Sequence, residues 1–226
     1  TDKRTPPCTK AIIKAGIKKV VIGMKDPNPK VSGKGIEELS KSGINVVSGV
    51  LEEDSMKLNE AYAKYIMTKR PFVILKVAMT LDGKIATPEG ESKWITGEKA
   101  RKEVHRLRSR VDAVMTAIGT VKADDPQLTA RCQGLKVSRV QEIKNPKRIV
   151  IDPNLEIQLN ARVLQTPPET IIVTKGFGVQ GQGSGVGEKK KMLLDRGVRI
   201  IEYDSERLDL GWLMKKLGKM EITSVL

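Results

Sequence analysis

The chain has 226 residues, of which 39 % are hydrophobic, 30 % charged and only 3 % aromatic, with a formal net charge of +14 and a single histidine. This places it among soluble globular chains rather than disordered ones and leaves the core to Val, Ile, Leu, Met and Ala. No apolar run approaches membrane-spanning length and no signal peptide is present, so a cytoplasmic protein without membrane association is expected. Cys8 and Cys132 give no disulfide framework, in keeping with a reducing compartment. The basic balance invites a nucleic-acid reading. However, the lysines are spread along the whole chain, and the three Tyr, two Phe and two Trp are not interleaved with them. Most of the charge therefore reads as solvated surface, and no nucleic-acid partner is expected.

The opening "TDKRTPPCT" reads as the middle of a loop, so truncation is expected there. A helix follows Cys8, with Ala11, Ile12, Ala15 and Ile17 apolar, and Lys18–Met24 reads as a buried strand. "DPNPKVSGKG" is turn-rich. "GIEELSKSGI" is a short helix stopped by Gly43, Asn45–Val50 a strand, and Glu52–Thr68 one helix. Residues 9–68 thus read αβαβα, the closing part of an open α/β layer. A domain boundary is expected at Arg70-Pro71, because the residue before a proline is pushed out of helical conformation. This gives domains 1–69 and 70–226.

In the second domain Phe72–Met79 reads as a strand. The helix Glu98–Val111 carries Ala100, Val104, Leu107 and Val111 on one face. Thr96 or Gly97 can cap it, and Glu98 suits the positive end of its dipole. Asp112–Ile118 is a strand that runs into the polar loop "GTVKADDP". Arg148–Asp152, Thr170–Thr174 and Val198–Tyr203 are short Ile/Val strands, and Leu210, Leu213, Met214 and Leu217 mark a helix face. The run "ITSVL" reads as a strand cut short, so truncation is expected at this end too. Gly176, Gly178 and Gly181 fit G-x-G-x-x-G, but a dinucleotide fingerprint needs a helix to start in the glycines. The seven residues that follow show no helical face, and a flexible surface insertion is expected.

Apolar strands ending in loops rich in Gly, Asp, Thr and Arg are how an α/β enzyme surrounds a phosphorylated ligand at the edge of its sheet. Arg101, His105 and Arg108 form a stripe at i, i+4, i+7 beside the apolar face. Arg101 reads as solvated, whereas Arg108, in the last turn, can reach a pocket between helix and sheet. Arg131 closes "DDPQLTAR", and two arginines from separate elements can clamp a phosphate with forked hydrogen bonds. Trp94 in the polar loop "SKWITG" is either a core anchor or a platform for a flat ring. Asp124 and Asp125 before Pro126 make a turn, or accept hydrogen bonds from ligand hydroxyls or amides. Cys8 places a thiol at a helix start, where a thiolate is favoured. Alone, it does not make a metal site.

"RPFVILKVAMTLDGKIA", "SKWITG", "RLRSRVDAV", "GTVKADDPQLTAR" and "NPKRIVID" resemble the reductase domain of the bifunctional riboflavin-biosynthesis deaminase/reductases. "RTPPCTKAIIKAGIKKVVIGMKDPNP" resembles the end of their zinc deaminase domain. The resemblance runs through nearly the whole chain and is weakest at 132–147 and 176–190. It implies an α/β chain in which the remnant of a cytidine-deaminase-like three-layer domain precedes a dihydrofolate-reductase-like domain. It also implies NADPH-dependent reduction of the ribosyl group of 5-amino-6-(5-phosphoribosylamino)uracil to ribityl, and zinc-dependent deamination of the diaminopyrimidine precursor in the intact protein.

By matching position, Ala78, Trp94, Thr120 and Asp124 fall where the family contacts NADP. Ser92, Arg108, Leu128 and Arg131 fall where it contacts the phosphorylated ribosylaminopyrimidine, and Cys8 falls on the last of three zinc ligands. Pro153 stands where some relatives carry a serine, and Ala78 where some carry glycine. The family continues past "ITSVL" into a Val-Glu-Gly-Gly segment, so this stretch alone is expected to be inactive in both reactions. Lys76 and Asp124 are both conceivable proton donors, and no catalytic acid is assigned. A homo-oligomer is compatible with the sequence. The competing readings are a pteridine or dihydrofolate reductase on the same fold, which needs no phosphate clamp, and a basic RNA-binding module.

Overall fold

The computed structural model describes residues 7–131, 145–165, 167–176 and 185–226. The chain divides into two compact units, Thr1–Phe72 and Val73–Leu226. In the first, α1 (Cys8–Lys14) and α2 (Lys34–Lys41) accompany two parallel strands, β1 (Lys19–Ile22) and β2 (Asn45–Ser48), in register from Lys19↔Asn45 to Ile22↔Ser48. Gly49, at φ 90°, turns the chain out of β2. The single helix expected over Glu52–Thr68 is two, α3 (Glu52–Leu58) and α4 (Glu60–Thr68). The break is Asn59, whose side-chain amide donates to the Ser55 carbonyl at 2.8 Å and competes with the backbone for the helical bond.

The second unit is built on a six-stranded sheet of order β3-β8-β4-β5-β6-β7. These strands are β3 (Phe72–Val73), β4 (Ala113–Ala117), β5 (Lys147–Ile151), β6 (Thr170–Lys175), β7 (Arg199–Tyr203) and β8 (Ser224–Val225). From β8 through β7 the pairing is parallel throughout. The central strands are near-continuous Ile/Val runs because both faces are covered, as parallel sheets require. Successive residues serve opposite cores. Val150 and Ile172 pack with Val121, Val163 and Leu193 from α6 (Ile118–Asp124), α7 (Arg162–Gln165) and α8 (Gly185–Asp195). Ile149 and Ile171 pack with Leu213 and Leu217 of α9 (Leu210–Lys219) on the other side.

Several elements differ from expectation. The strand read over Phe72–Met79 is only two residues long. Just beyond it, the Ile74 N–H donates to the Val225 carbonyl of β8 at 2.8 Å. The segment's odd-numbered residues, Val73, Leu75, Val77, Met79 and Leu81, are exposed. The polar stretch "GTVKADDP" is mostly helix: α6 starts directly at the end of β4, anchored by buried Val121, and stops at Asp125 in the left-handed region at φ 40°. The helix expected to run to Val111 is α5 (Glu98–Arg108). α8 begins at Gly185, earlier than the sequence indicated. The surface insertion expected after Gly176 lies outside the described residues. Among the described residues no helix is long and apolar enough to cross a membrane.

Two polar devices fasten the second unit. The Asp112 carboxylate accepts from both the backbone N–H and the hydroxyl of Thr223, at 2.7 and 2.6 Å, and its own N–H donates to Ser224 Oγ at 3.0 Å. These bonds hold β8 to the start of β4. Arg148, the second residue of β5, is 0 % exposed. Its Nη1 donates to the carbonyls of Val163 (2.8 Å) and Pro168 (3.3 Å), and its Nη2 to that of Pro167 (3.2 Å).

Candidate active site

A cavity of about 680 Å³ opens among the residues that follow β3 and β4, the carboxyl-end position where open α/β sheets bind ligands. It falls within the size range of small-molecule sites. Its walls come from Lys76–Ala78, the loop 92–96, one face of α5, the top of α6 and the loop 124–131.

Of the eight ligand-contact positions named from the sequence, seven line this cavity: Ala78, Ser92, Trp94, Arg108, Thr120, Asp124 and Arg131. Leu128 does not. It is 5 % exposed and packs in the core beneath the loop, so only its backbone is available from above. The Ser92 hydroxyl donates to Asp124 Oδ1 at 3.5 Å, so the two sets, one assigned to the dinucleotide and one to the phosphosugar, touch at this bond.

Trp94 is 73 % exposed and is therefore no core anchor. The guanidinium of Arg101 lies 4.3 Å from its ring centroid, and Arg101 Nη1 donates to the Thr96 carbonyl. Arg101 is thus not the solvated residue expected; it braces the indole by a cation–π contact of about 0.5–1 kcal/mol and leaves most of the ring open. A helical stripe cannot by itself distinguish solvent from a loop folded back over it. Asp125 and Arg162 also line the cavity, and the Asp125 carboxylate accepts the Arg162 N–H at 2.8 Å. No periodic signal marks Arg162, because α7 is a single turn whose position is set by the fold.

Arg108 and Arg131 give the site its electrostatic character. Burial, and then the charge of Arg131, hold the Arg108 guanidinium below its ordinary basicity. Arg108 Nη1 donates to the Thr129 carbonyl at 3.3 Å, while its Nε is buried without a partner. Arg131 donates to Gln127 Oε1 at 3.1 Å. Among the described residues neither guanidinium has a carboxylate partner. Two cations lining one cavity, one of them buried and neither ion-paired among the described residues, are an arrangement suited to an anion. The loop that carries Arg131 is conformationally costly: Asp125, Leu128 and Arg131 all have positive φ, at 40°, 54° and 45°. Such residues cluster where function requires a particular geometry.

His105 lines the same cavity, with Nδ1 3.3 Å from the Thr129 carbonyl. Burial first, then Arg108, with Arg131 contributing less, hold its pKa below the ordinary 6.5, against the opposing pull of the carbonyls it bonds. A depressed histidine pKa costs nothing above the unfolded value. It costs stability as pH falls through 6.5 toward the folded value, because the unfolded chain takes up the proton first. The urea midpoint should therefore drop between about pH 7.5 and about pH 5.5, and His105→Asn should flatten that decline. A variant with the same acid limb as wild type would remove His105 from that account.

For a metal the described residues are insufficient. Cys8 is an exposed free thiol at the first position of α1, and no cluster of three or more His, Cys, Asp or Glu able to hold a metal ion occurs among the described residues. One thiolate does not make a zinc site.

The family model described as the RibD C-terminal domain matches residues 71–226. The chain is 44 % identical over 220 residues to the riboflavin biosynthesis protein RibD of Aquifex aeolicus, covering 97 % of this chain and 57 % of that protein. It is 43 % identical over 225 residues to the RibD of Actinobacillus pleuropneumoniae, covering 99 % and 56 %. Among solved structures it resembles form 1 of Acinetobacter baumannii RibD, with TM-score 0.83, 38 % identity, and coverage of 100 % of this chain and 58 % of that one. It also resembles the Thermotoga maritima diaminohydroxyphosphoribosylaminopyrimidine deaminase/5-amino-6-(5-phosphoribosylamino)uracil reductase, with TM-score 0.79, 39 % identity, and the same coverage. The chain spans somewhat over half the length of the relatives it matches.

Proposed function

Because the chain belongs to the RibD C-terminal domain family, we propose that its second unit is the reductase of riboflavin biosynthesis. In this reading it reduces the ribosyl group of 5-amino-6-(5-phosphoribosylamino)uracil to a ribityl chain with NADPH. The observation that carries the reading is the pair Arg108 and Arg131 lining one cavity, with no carboxylate paired to either among the described residues. A phosphate monoester supplies the missing charge and accepts forked hydrogen bonds from both. Ser92 lines the same cavity, and Leu128, whose side chain is in the core, would meet the phosphosugar through its backbone alone.

The other side of the cavity suits a dinucleotide. Trp94 presents a flat, braced face, Thr120 and Asp124 present a hydroxyl and a carboxylate at the top of α6, and Ala78 is small enough for close backbone approach. NADPH, when bound, supplies the hydride. The chain's own residues bind, orient and shield. The Ser92–Asp124 hydrogen bond joins the two halves, so ligands held by the two sets abut there. Lys76 and Asp124 both line the cavity and stand within the region where a proton would be delivered; the reading assigns neither as the acid.

We assign the first unit, Thr1–Phe72, to the closing part of a zinc deaminase domain, in keeping with the deaminase in the name of the Thermotoga relative. Cys8 is then one of its zinc ligands. The working compartment in this reading is the cytoplasm.

The test is a substrate comparison in the full-length protein. NADPH consumption should be rapid with 5-amino-6-(5-phosphoribosylamino)uracil and slow with its dephosphorylated counterpart. Equal rates on the two, or preferential reduction of dihydrofolate, would favour a pteridine-type reductase instead.

A further inference from the structure

The only histidine of the chain lines the candidate active site, and a lone cavity histidine invites assignment as a proton donor. Its contacts point to another task. The Thr129 carbonyl can only accept, so the His105 Nδ1 facing it at 3.3 Å carries the hydrogen. The same oxygen accepts from Arg108 Nη1 at 3.3 Å. One residue along, the Ala130 N–H donates to Asn145 Oδ1 at 3.0 Å. Two consecutive peptide units are thus gripped by three side chains.

On either side of this grip stand Leu128 and Arg131, both left-handed, at φ 54° and 45°. Side chains with a Cβ are sterically disfavoured there and stay only when the surroundings over-determine them. Leu128 is fixed by burial in the core. Arg131 is exposed and, among the described residues, its side chain makes one hydrogen bond, to Gln127, so packing against them does not set its direction. The conformation at Arg131 depends on the peptide units just before it, which His105, Arg108 and Asn145 hold.

We propose that His105 is a positioning residue: by fixing the Thr129–Ala130 backbone it aims Arg131 at the anion that Arg108 binds. This rests on the reading of the cavity as a phosphosugar reductase site, and it assigns a residue that reading left without a task. Burial and the two flanking guanidiniums, which keep the imidazole neutral, agree with a strut rather than an acid.

The experiment uses the full-length protein with His105→Leu, His105→Asn, Arg131→Ala and the Leu/Ala double variant. Leucine removes the donor, whereas the asparagine amide can restore a hydrogen near Nδ1. The expected result is a KM for the phosphorylated substrate raised about tenfold in His105→Leu, the coupling typical within one hydrogen-bond network. The kcat and its pH profile should be retained, and His105→Asn should recover most of the loss. In the Arg131→Ala background the leucine substitution should add little.

A collapse of kcat with a changed pH profile, not rescued by asparagine, would make His105 the proton donor and overturn the proposal. So would fully additive effects with Arg131→Ala, the signature of a purely structural role. Calorimetric binding of inorganic phosphate separates the two layers. If wild type fails to turn over the uracil substrate, yet His105→Leu weakens phosphate binding only when Arg131 is present, the positioning role stands and the reductase reading falls.

Discussion

Arg108→Ala should raise the KM for the phosphorylated ribosylaminopyrimidine by about 10²–10³-fold, roughly 3–4 kcal/mol, within the range lost when one member of a buried charge pair is removed. The kcat and the KM for NADPH should change far less, because a phosphate remote from the reacting carbon is held alike in ground and transition states. The same residue carries an opposite expectation for stability. Without an anion, Arg108 is a mostly buried cation facing a second cation, with a buried Nε that has no partner among the described residues. Replacing such a group by an apolar one of similar length is commonly neutral or stabilising. Arg108→Met should therefore lose substrate affinity while keeping or raising the Tm of the ligand-free protein. Steady-state kinetics and a thermal scan on one preparation check both signs. A variant with unchanged substrate KM would remove Arg108 from the anion site, and one that lost both affinity and Tm would mark it as a packing residue.

Arg148→Leu should be the most destabilising single change in the second unit, by about 3–5 kcal/mol. The buried guanidinium is the donor for the carbonyls of Val163, Pro167 and Pro168, and a leucine leaves those oxygens enclosed with fewer donors. Lysine would not rescue it, since one ammonium cannot reproduce a planar fork reaching three carbonyls. The measurement is urea unfolding followed by tryptophan fluorescence. Both tryptophans, Trp94 and Trp212, belong to the second unit, so the signal reports that unit alone. Arg148 lies away from the cavity walls, so folded Arg148→Leu protein should retain wild-type KM values. A loss below about 1 kcal/mol would mean that water reaches these carbonyls.

The α/β class, the dihydrofolate-reductase-like fold of the second unit and the family stand as read from the sequence, and their legibility has physical causes. β5 and β6 are covered on both faces, so they had to be uninterrupted Ile/Val runs. α5 has one apolar stripe at helical spacing. What the sequence concealed depended on partners distant in the chain. β3 pairs with β8, which comes from the far end of the chain, and nothing in "PFVILKVAM" records that pairing. α6 was hidden because a short helix with one buried residue, Val121, needs little apolar content and reads as a loop. At the site, Arg108 and Arg131 could be paired because each has a local signature, a last-turn arginine and a loop-closing one. Arg101 and Arg162 reach the cavity only through the loop carrying Trp94 and through α7, and neither position is written in its own neighbours.

The stretch from Val73 to Leu81 carries a constraint on how relatives of this chain can vary. Val73, Leu75, Met79 and Leu81 are apolar and exposed, while the three consecutive residues Lys76, Val77 and Ala78 line the cavity. Substitutions at the first four change a surface and leave the cavity wall alone. An insertion or deletion within the stretch would shift the chain past the wall and displace Lys76 and Ala78 from it. Length changes should therefore be displaced to the Gly83 and Gly90 turns beyond it, where the left-handed glycines give the chain room to absorb them.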